Sequence, residues 1–76
     1  MGTLNDKLSD FIKVERFKAK LSQQEMANKM NITRNTYIKW ENNPKKLNLE
    51  QLDKIGQVLD TDIFIFFNEY VAESNE

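Results

Sequence analysis

Leu8, Phe11, Ile12 and Phe17 recur at near-helical spacing along the first segment, and strand-like alternation is scarce throughout. The spacing predicts a helix over about 5–19. Three further helix starts share one arrangement. Ser22 is followed three residues later by Glu25, a capping box in which each side chain satisfies an orphan backbone N–H of the other, and Leu21 and Met26 flank it as a hydrophobic staple. Thr33 can cap the next helix, with Ile32 and Tyr37 in staple positions. Asn48 pairs with Gln51 in the same way, with Leu47 and Leu52 as the staple. These starts predict helices over about 23–30, 34–42 and 49–59. Asp62, whose carboxylate suits a helix N-terminus, opens a fifth over about 62–73. The expected fold is all-α, a compact five-helix single domain over residues 1–76.

The second and third helices are joined only by Asn31, Ile32 and Thr33, which forces them close and steeply crossed. Turning the chain so sharply calls for a left-handed residue, and Asn tolerates that conformation best after Gly. Asn31 fits that position. Asn43, just past the third helix and before Pro44, is expected to cap it in the same conformation.

The pattern also assigns faces. Met26, Ala27 and Met30 share one side of the second helix, and Tyr37 and Trp40, three apart, face the core from the third. Helical geometry then turns Arg34, Asn35 and Lys39 outward or to the flank. Those residue types read DNA: Arg makes forked hydrogen bonds to guanine and Asn to adenine. Thr33 and Thr36 are short donors suited to phosphate oxygens, and Gln23 and Gln24 open a helix whose N-terminal amides favour a phosphate.

Composition narrows the function classes. A 76-residue chain buries only about 60% of its unfolded surface, so its core is marginal. Without Cys there is no disulfide framework or thiolate zinc site, and without His the commonest general base and metal ligand are missing. No Gly-rich phosphate loop or nucleophile elbow is present, so no enzyme, metal site or cofactor is expected. No apolar run approaches the roughly 20 residues of a membrane span. The polar opening MGTLNDKLSD does not read as a secretory signal, and Asp6 departs from the myristoylation pattern, so a cytoplasmic location is expected. Charge is uneven. Residues 1–47 carry ten Lys/Arg against five acids, whereas residues 48–76 carry one Lys against seven. The first part favours a polyanion and the second repels one.

The stretch LSQQEMANKMNITRNTYIKWENN, residues 21–43, resembles the helix-turn-helix (about 22–42) of the lambda-repressor-like, XRE/Cro-type family. Leu21, Ser22, Gln23, Glu25, Met26, Ala27, Ile32, Thr33, Trp40 and Glu41 fall in register with the family pattern. The segment LNLEQLDKIGQVLDTDIFIFF resembles the family's fourth and fifth helices, so the likeness covers about residues 8–67. Departures occur at Lys20, Asn31, Asn43 and Asp60, where the family often has Gly, and at Gly56, a common Ala position where Gly costs up to about 1 kcal/mol of helix propensity. Lys20 suits a left-handed turn least. Phe64 and Ile65 stand where acids are frequent.

The resemblance implies a lambda-repressor-like fold with the third helix in the major groove of double-stranded DNA. Arg34, Asn35 and Lys39 would lie nearest the bases. Gln23 would hold a phosphate and brace Arg34, and Asn42, Lys45 and Lys46 would reach phosphates. Ile38 would either meet a thymine methyl or lie half buried. Arg16 would pair with Glu41.

Ile63, Phe64, Ile65, Phe66 and Phe67 are five consecutive apolar residues, more than one helix face can hide. Ile63 with Phe66 or Phe67 is expected to close the core, while Phe64, Ile65, Tyr70 and Val71 meet a second copy. A two-fold homodimer would place two recognition helices about one DNA turn apart on a pseudo-palindromic operator. The expected function is therefore that of a small dimeric transcriptional regulator, a Cro-like repressor, needing no small-molecule ligand and no membrane. The length leaves no room for an effector domain, so any response is expected through concentration, dimerisation or a partner. The alternative is a protein-interaction module, antitoxin-like or adaptor, that uses the apolar C-terminal segment.

Overall fold

The computed structural model describes residues 2–74, with side chains through residue 69. Five helices follow in order: α1 (Leu4–Lys18), α2 (Gln23–Met30), α3 (Arg34–Asn42), α4 (Leu49–Leu59) and α5 (Ile63–Ser74). A 3-10 turn, Pro44–Lys46, joins α3 to α4. No strand occurs among the described residues, and the expected all-α five-helix arrangement is the one observed. Capping boxes at Ser22/Glu25 and Asn48/Gln51 form as expected, and Thr33 caps α3 through the Thr36 N–H. A third box, Thr3 with Asp6, starts α1 one residue before the expected Asn5.

Three helices end alike. Lys20, Asn31 and Asp60 all have φ between 55° and 60°. Each is followed by an amide that reaches back across the last turn: Leu21 to Arg16 O, Ile32 to Ala27 O and Thr61 to Gly56 O, at 2.9–3.2 Å. This is the Schellman arrangement, which usually takes Gly at the left-handed residue. Lys20 adopts it although it lacks the local hydrogen-bonding that eases Asn and Asp into that region. Asn43 differs from expectation. Its φ of −132° and ψ of 58° are not left-handed. Pro44 follows it, and clash with the proline ring disfavours helical backbone at the preceding residue.

The core forms where the helix faces meet. Leu8 and Ile12 from α1, Met26 and Met30 from α2, Tyr37 from α3 and Ile55 from α4 are all almost fully buried. Ile63 joins them from α5, and Phe66 and Phe67 cover them half buried, with the Phe66 ring 5.1 Å from that of Phe11. Phe64 and Ile65 stay exposed, at 40% and 54%. One aromatic departs from the sequence reading: Phe17 is 70% exposed, beneath the Arg16 guanidinium at 4.9 Å. Trp40 packs against the core as expected, half buried at its edge.

Gly56 has a reason that helix propensity hides. A Cβ there would lie 2.7 Å from the backbone oxygen of Thr61 and 3.4 Å from a side-chain carbon of Ile63. The α4–α5 turn folds back too tightly for any side chain.

Candidate nucleic-acid interface

Helix α3 shows two chemically distinct sides. Its inner side carries Tyr37 and Glu41, both with no exposed surface. Its outer side carries Asn35 and Lys39, and Arg34 projects from the first turn ahead of Tyr37; the three side chains are exposed and have no hydrogen-bond or ion-pair partner among the described residues. Thr36 and Ile38 lie between, half buried, so Ile38 takes the flank. The Thr33 hydroxyl accepts from the Thr36 N–H at 3.2 Å and donates to the Thr36 hydroxyl at 2.8 Å. That chain leaves the Thr36 hydroxyl with a proton still available to donate.

A buried carboxylate with four hydrogen bonds holds the inner side. Glu41 accepts from Arg16 Nε at 2.8 Å and Nη2 at 3.4 Å, from the Tyr37 hydroxyl at 2.7 Å and from Gln23 Nε2 at 3.2 Å. Arg16 Nη1 also donates to Leu21 O at 2.9 Å, which ties the same guanidinium to the α1–α2 turn. Burying a charge is costly unless it is paired and its lone pairs are filled, and here they are. Burial first, and then the Glu41 carboxylate beside it, pushes the Tyr37 hydroxyl far above its ordinary range. Tyr37 therefore remains a hydrogen-bond donor at any physiological pH.

The network redirects one expectation. Gln23 was expected to brace Arg34; instead its amide nitrogen donates to Glu41, and no hydrogen bond joins it to Arg34 among the described residues. Its half-exposed side chain keeps a carbonyl and a second N–H toward the surface. Gln24 is exposed and donates to Asn28 Oδ1 at 2.9 Å.

At the end of α3 and just past it, Asn42, Lys45 and Lys46 are exposed. Lys46 and Lys39 flank a surface depression of about 370 Å³ that Trp40, Asn43, Leu47 and Gln51 complete. No acid lines it. Three other depressions each carry acids: Asp53, Asp60 and Asp62 in one, Asp6 and Asp10 in another, Glu50 and Asp53 in the third. Of these four depressions, the one at the α3 edge is the one suited to an anion, and the one at the α4–α5 end is not.

Sequence reasoning missed two residues here. Asn5 and Ser9 of α1 hold the end of α3: the Ser9 hydroxyl donates to Glu41 O at 2.6 Å, and Asn5 Nδ2 donates to Asn42 O at 3.2 Å. Their signal lay in the spacing Asn5, Ser9, Arg16, a polar stripe on one side of an otherwise apolar helix face. The side chains of Tyr70 and Val71 lie outside the described residues, and only Phe64 and Ile65 of the four expected dimer contacts can be placed. Among the described residues, no acid cluster suits a metal ion and no helix is long and apolar enough to cross a membrane.

Comparison with curated proteins and with solved structures gives no match. A family model described as helix-turn-helix matches residues 12–66, most of the chain and all of the α2–α3 unit. With this match and the fold above, the chain belongs to the XRE/lambda-repressor-like helix-turn-helix family of DNA-binding regulators.

Proposed function

We propose that the protein is a sequence-specific binder of double-stranded DNA that acts as a small dimeric transcriptional regulator, with α3 in the major groove. One observation carries the reading. The side chains of Asn35 and Lys39 are exposed and unpartnered on the side of α3 away from Tyr37 and Glu41, and that of Arg34 is exposed and unpartnered at the first turn, ahead of the locked residues. A rigid inner side and a free, donor-rich outer side are what direct readout requires. In this reading Arg34, Asn35 and Lys39 meet base edges, and Ile38, half buried on the flank, offers a thymine methyl only the part of its side chain that stays exposed. Gln23, Gln24, Thr33, Thr36, Asn42, Lys45 and Lys46 hold the phosphate backbone, which positions the protein without conferring sequence preference.

Two copies meet through α5, where Phe64 and Ile65 leave apolar surface uncovered. Tyr70 and Val71 extend the same contact. A two-fold pair presents two α3 helices to two half-sites. The acids of residues 48–76 then lie away from the DNA, which suits a chain whose charge is divided this way.

Selection of bound sequences from random duplexes tests the proposal. A motif with two-fold symmetry is the expected result, and its half-site spacing gives the dimer geometry. Failure to enrich any motif would favour a protein-interaction module using the α5 surface. Sedimentation bears on the dimer separately: a pure monomer at tens of micromolar, about where a weak dimer should appear, would remove the two-fold part of the reading.

A further inference from the structure

We propose that Asn5 is a positioning residue for DNA binding: its side-chain amide sets the turn that carries Lys45 and Lys46 against the end of α3. The inference rests on the reading of those two lysines as phosphate contacts. Helix α3 ends at Asn42, Asn43 leaves helical geometry, and Pro44 has no N–H to offer. The final carbonyls of a helix lack partners within it. Here α1 supplies them, with the Ser9 hydroxyl on Glu41 O and Asn5 Nδ2 on Asn42 O.

Asn5 does a second thing that Ser9 does not. Its Oδ1 accepts from the Lys45 N–H at 3.1 Å. One planar amide thus faces the helix with its donor and the 3-10 turn with its acceptor, spanning the break as a peptide unit would. The remaining hydrogen bonds of the turn, Lys46 N–H to Asn43 O and Leu47 N–H to Pro44 O, are internal to it and would move with it. Buried Pro44 anchors the turn to the core, and the two Asn5 bonds set its rotation about that anchor. Both lysines leave the backbone from this turn, so its rotation decides where their ammonium groups lie. Asn5 itself is half buried, so its loss leaves the fold standing.

The test uses the full chain and a mixed-sequence DNA duplex several turns long, titrated with salt. In Asn5→Ala the slope of log affinity against log salt should flatten by about one unit. In the DNA-free protein, the Lys45 amide should exchange with solvent about tenfold faster, the equivalent of one lost hydrogen bond. Ser9→Ala removes a neighbouring bond without touching the turn. It should lower the melting temperature and leave the slope alone, which separates positioning from general destabilisation. Lys45→Ala and Lys46→Ala, measured alongside, report on the phosphate reading itself. If they flatten the slope and Asn5→Ala does not, the positioning role is overturned and the phosphate reading stands. If none of them flattens it, the phosphate reading fails and takes the inference with it. An unchanged Lys45 exchange rate in Asn5→Ala would overturn the inference at its root.

Discussion

Helix α3 is held by α1 through polar groups, whereas α5 is held by α1 through aromatic rings. At the first junction Arg16, Ser9 and Asn5 make directional bonds to Glu41, Asn42 and Lys45 over distances of 2.6–3.4 Å. At the second, Phe11 of α1 meets Phe66 of α5 at 5.1 Å with a tilt of 36°, and within α5 the Phe66 ring meets Phe67 edge-on at 5.7 Å. Hydrogen bonds weaken steeply with distance and angle, while aromatic pairs accept a range of both. The helix proposed to present side chains to DNA is therefore attached by the less forgiving chemistry. The helix that closes the core and leaves Phe64 and Ile65 uncovered is attached by the more adaptable kind.

The largest expected effect breaks the polar junction. Arg16→Ala leaves Glu41 fully buried with only Tyr37 and Gln23 as side-chain donors, and should cost about 3–5 kcal/mol in denaturant unfolding. Phe66→Ala removes a half-buried ring from the aromatic junction and should cost only about 1–2 kcal/mol. Equal losses would erase the contrast between the junctions.

Gly56→Ala comes between them. Helix propensity alone says this change should stabilise α4 by up to about 1 kcal/mol. The Thr61 oxygen 2.7 Å from the new Cβ says otherwise, and a net loss of about 1–3 kcal/mol is expected from overpacking. A raised melting temperature would mean that the α4–α5 turn yields easily.

Smaller effects sharpen the picture at the helix ends. Lys20→Gly should stabilise by up to about 1 kcal/mol, because a left-handed residue without local hydrogen-bonding is strained there. Asn31→Gly and Asp60→Gly should gain less in the same thermal assay. Glu25 offers the mildest test. The Ser22 backbone N–H, and after it the Ser22 hydroxyl, hold its carboxyl below the ordinary 4.5. A depressed carboxyl stabilises the fold above its unfolded value, and that contribution fades as pH falls through the folded value. The stability difference between the protein and Glu25→Gln should therefore be present at neutral pH and shrink in acid.

Much of this was legible in the sequence, for a local reason. A cap and its box lie within four residues, so Ser22, Thr33 and Asn48 announce α2, α3 and α4 to the residue. Left-handed ends at Asn31 and Asp60 follow from the same short-range chemistry. What escaped was set by distant contacts or by competing neighbours. Ser9 and Asn5 meet partners 32 to 40 positions away. Gly56 looked like a weak helix residue because the Thr61 oxygen that demands it belongs to the next turn. Asn43 looked like Asn31, but Pro44 changed its choices. Gln23 was expected beside Arg34, and the buried carboxylate of Glu41 claimed its amide first.

The exposed, unpartnered side chains of α3 are proposed to read sequence, and Arg34, at its first turn, tests this most directly. Affinity of the protein and of Arg34→Ala should be measured for a selected duplex and a scrambled one at the same salt concentration. The account predicts that Arg34→Ala loses about 1–3 kcal/mol on the selected duplex, loses much less on the scrambled one, and relaxes preference at one base pair per half-site. Equal weakening on both duplexes would contradict it, because Arg34 would then be a backbone contact and not a reader.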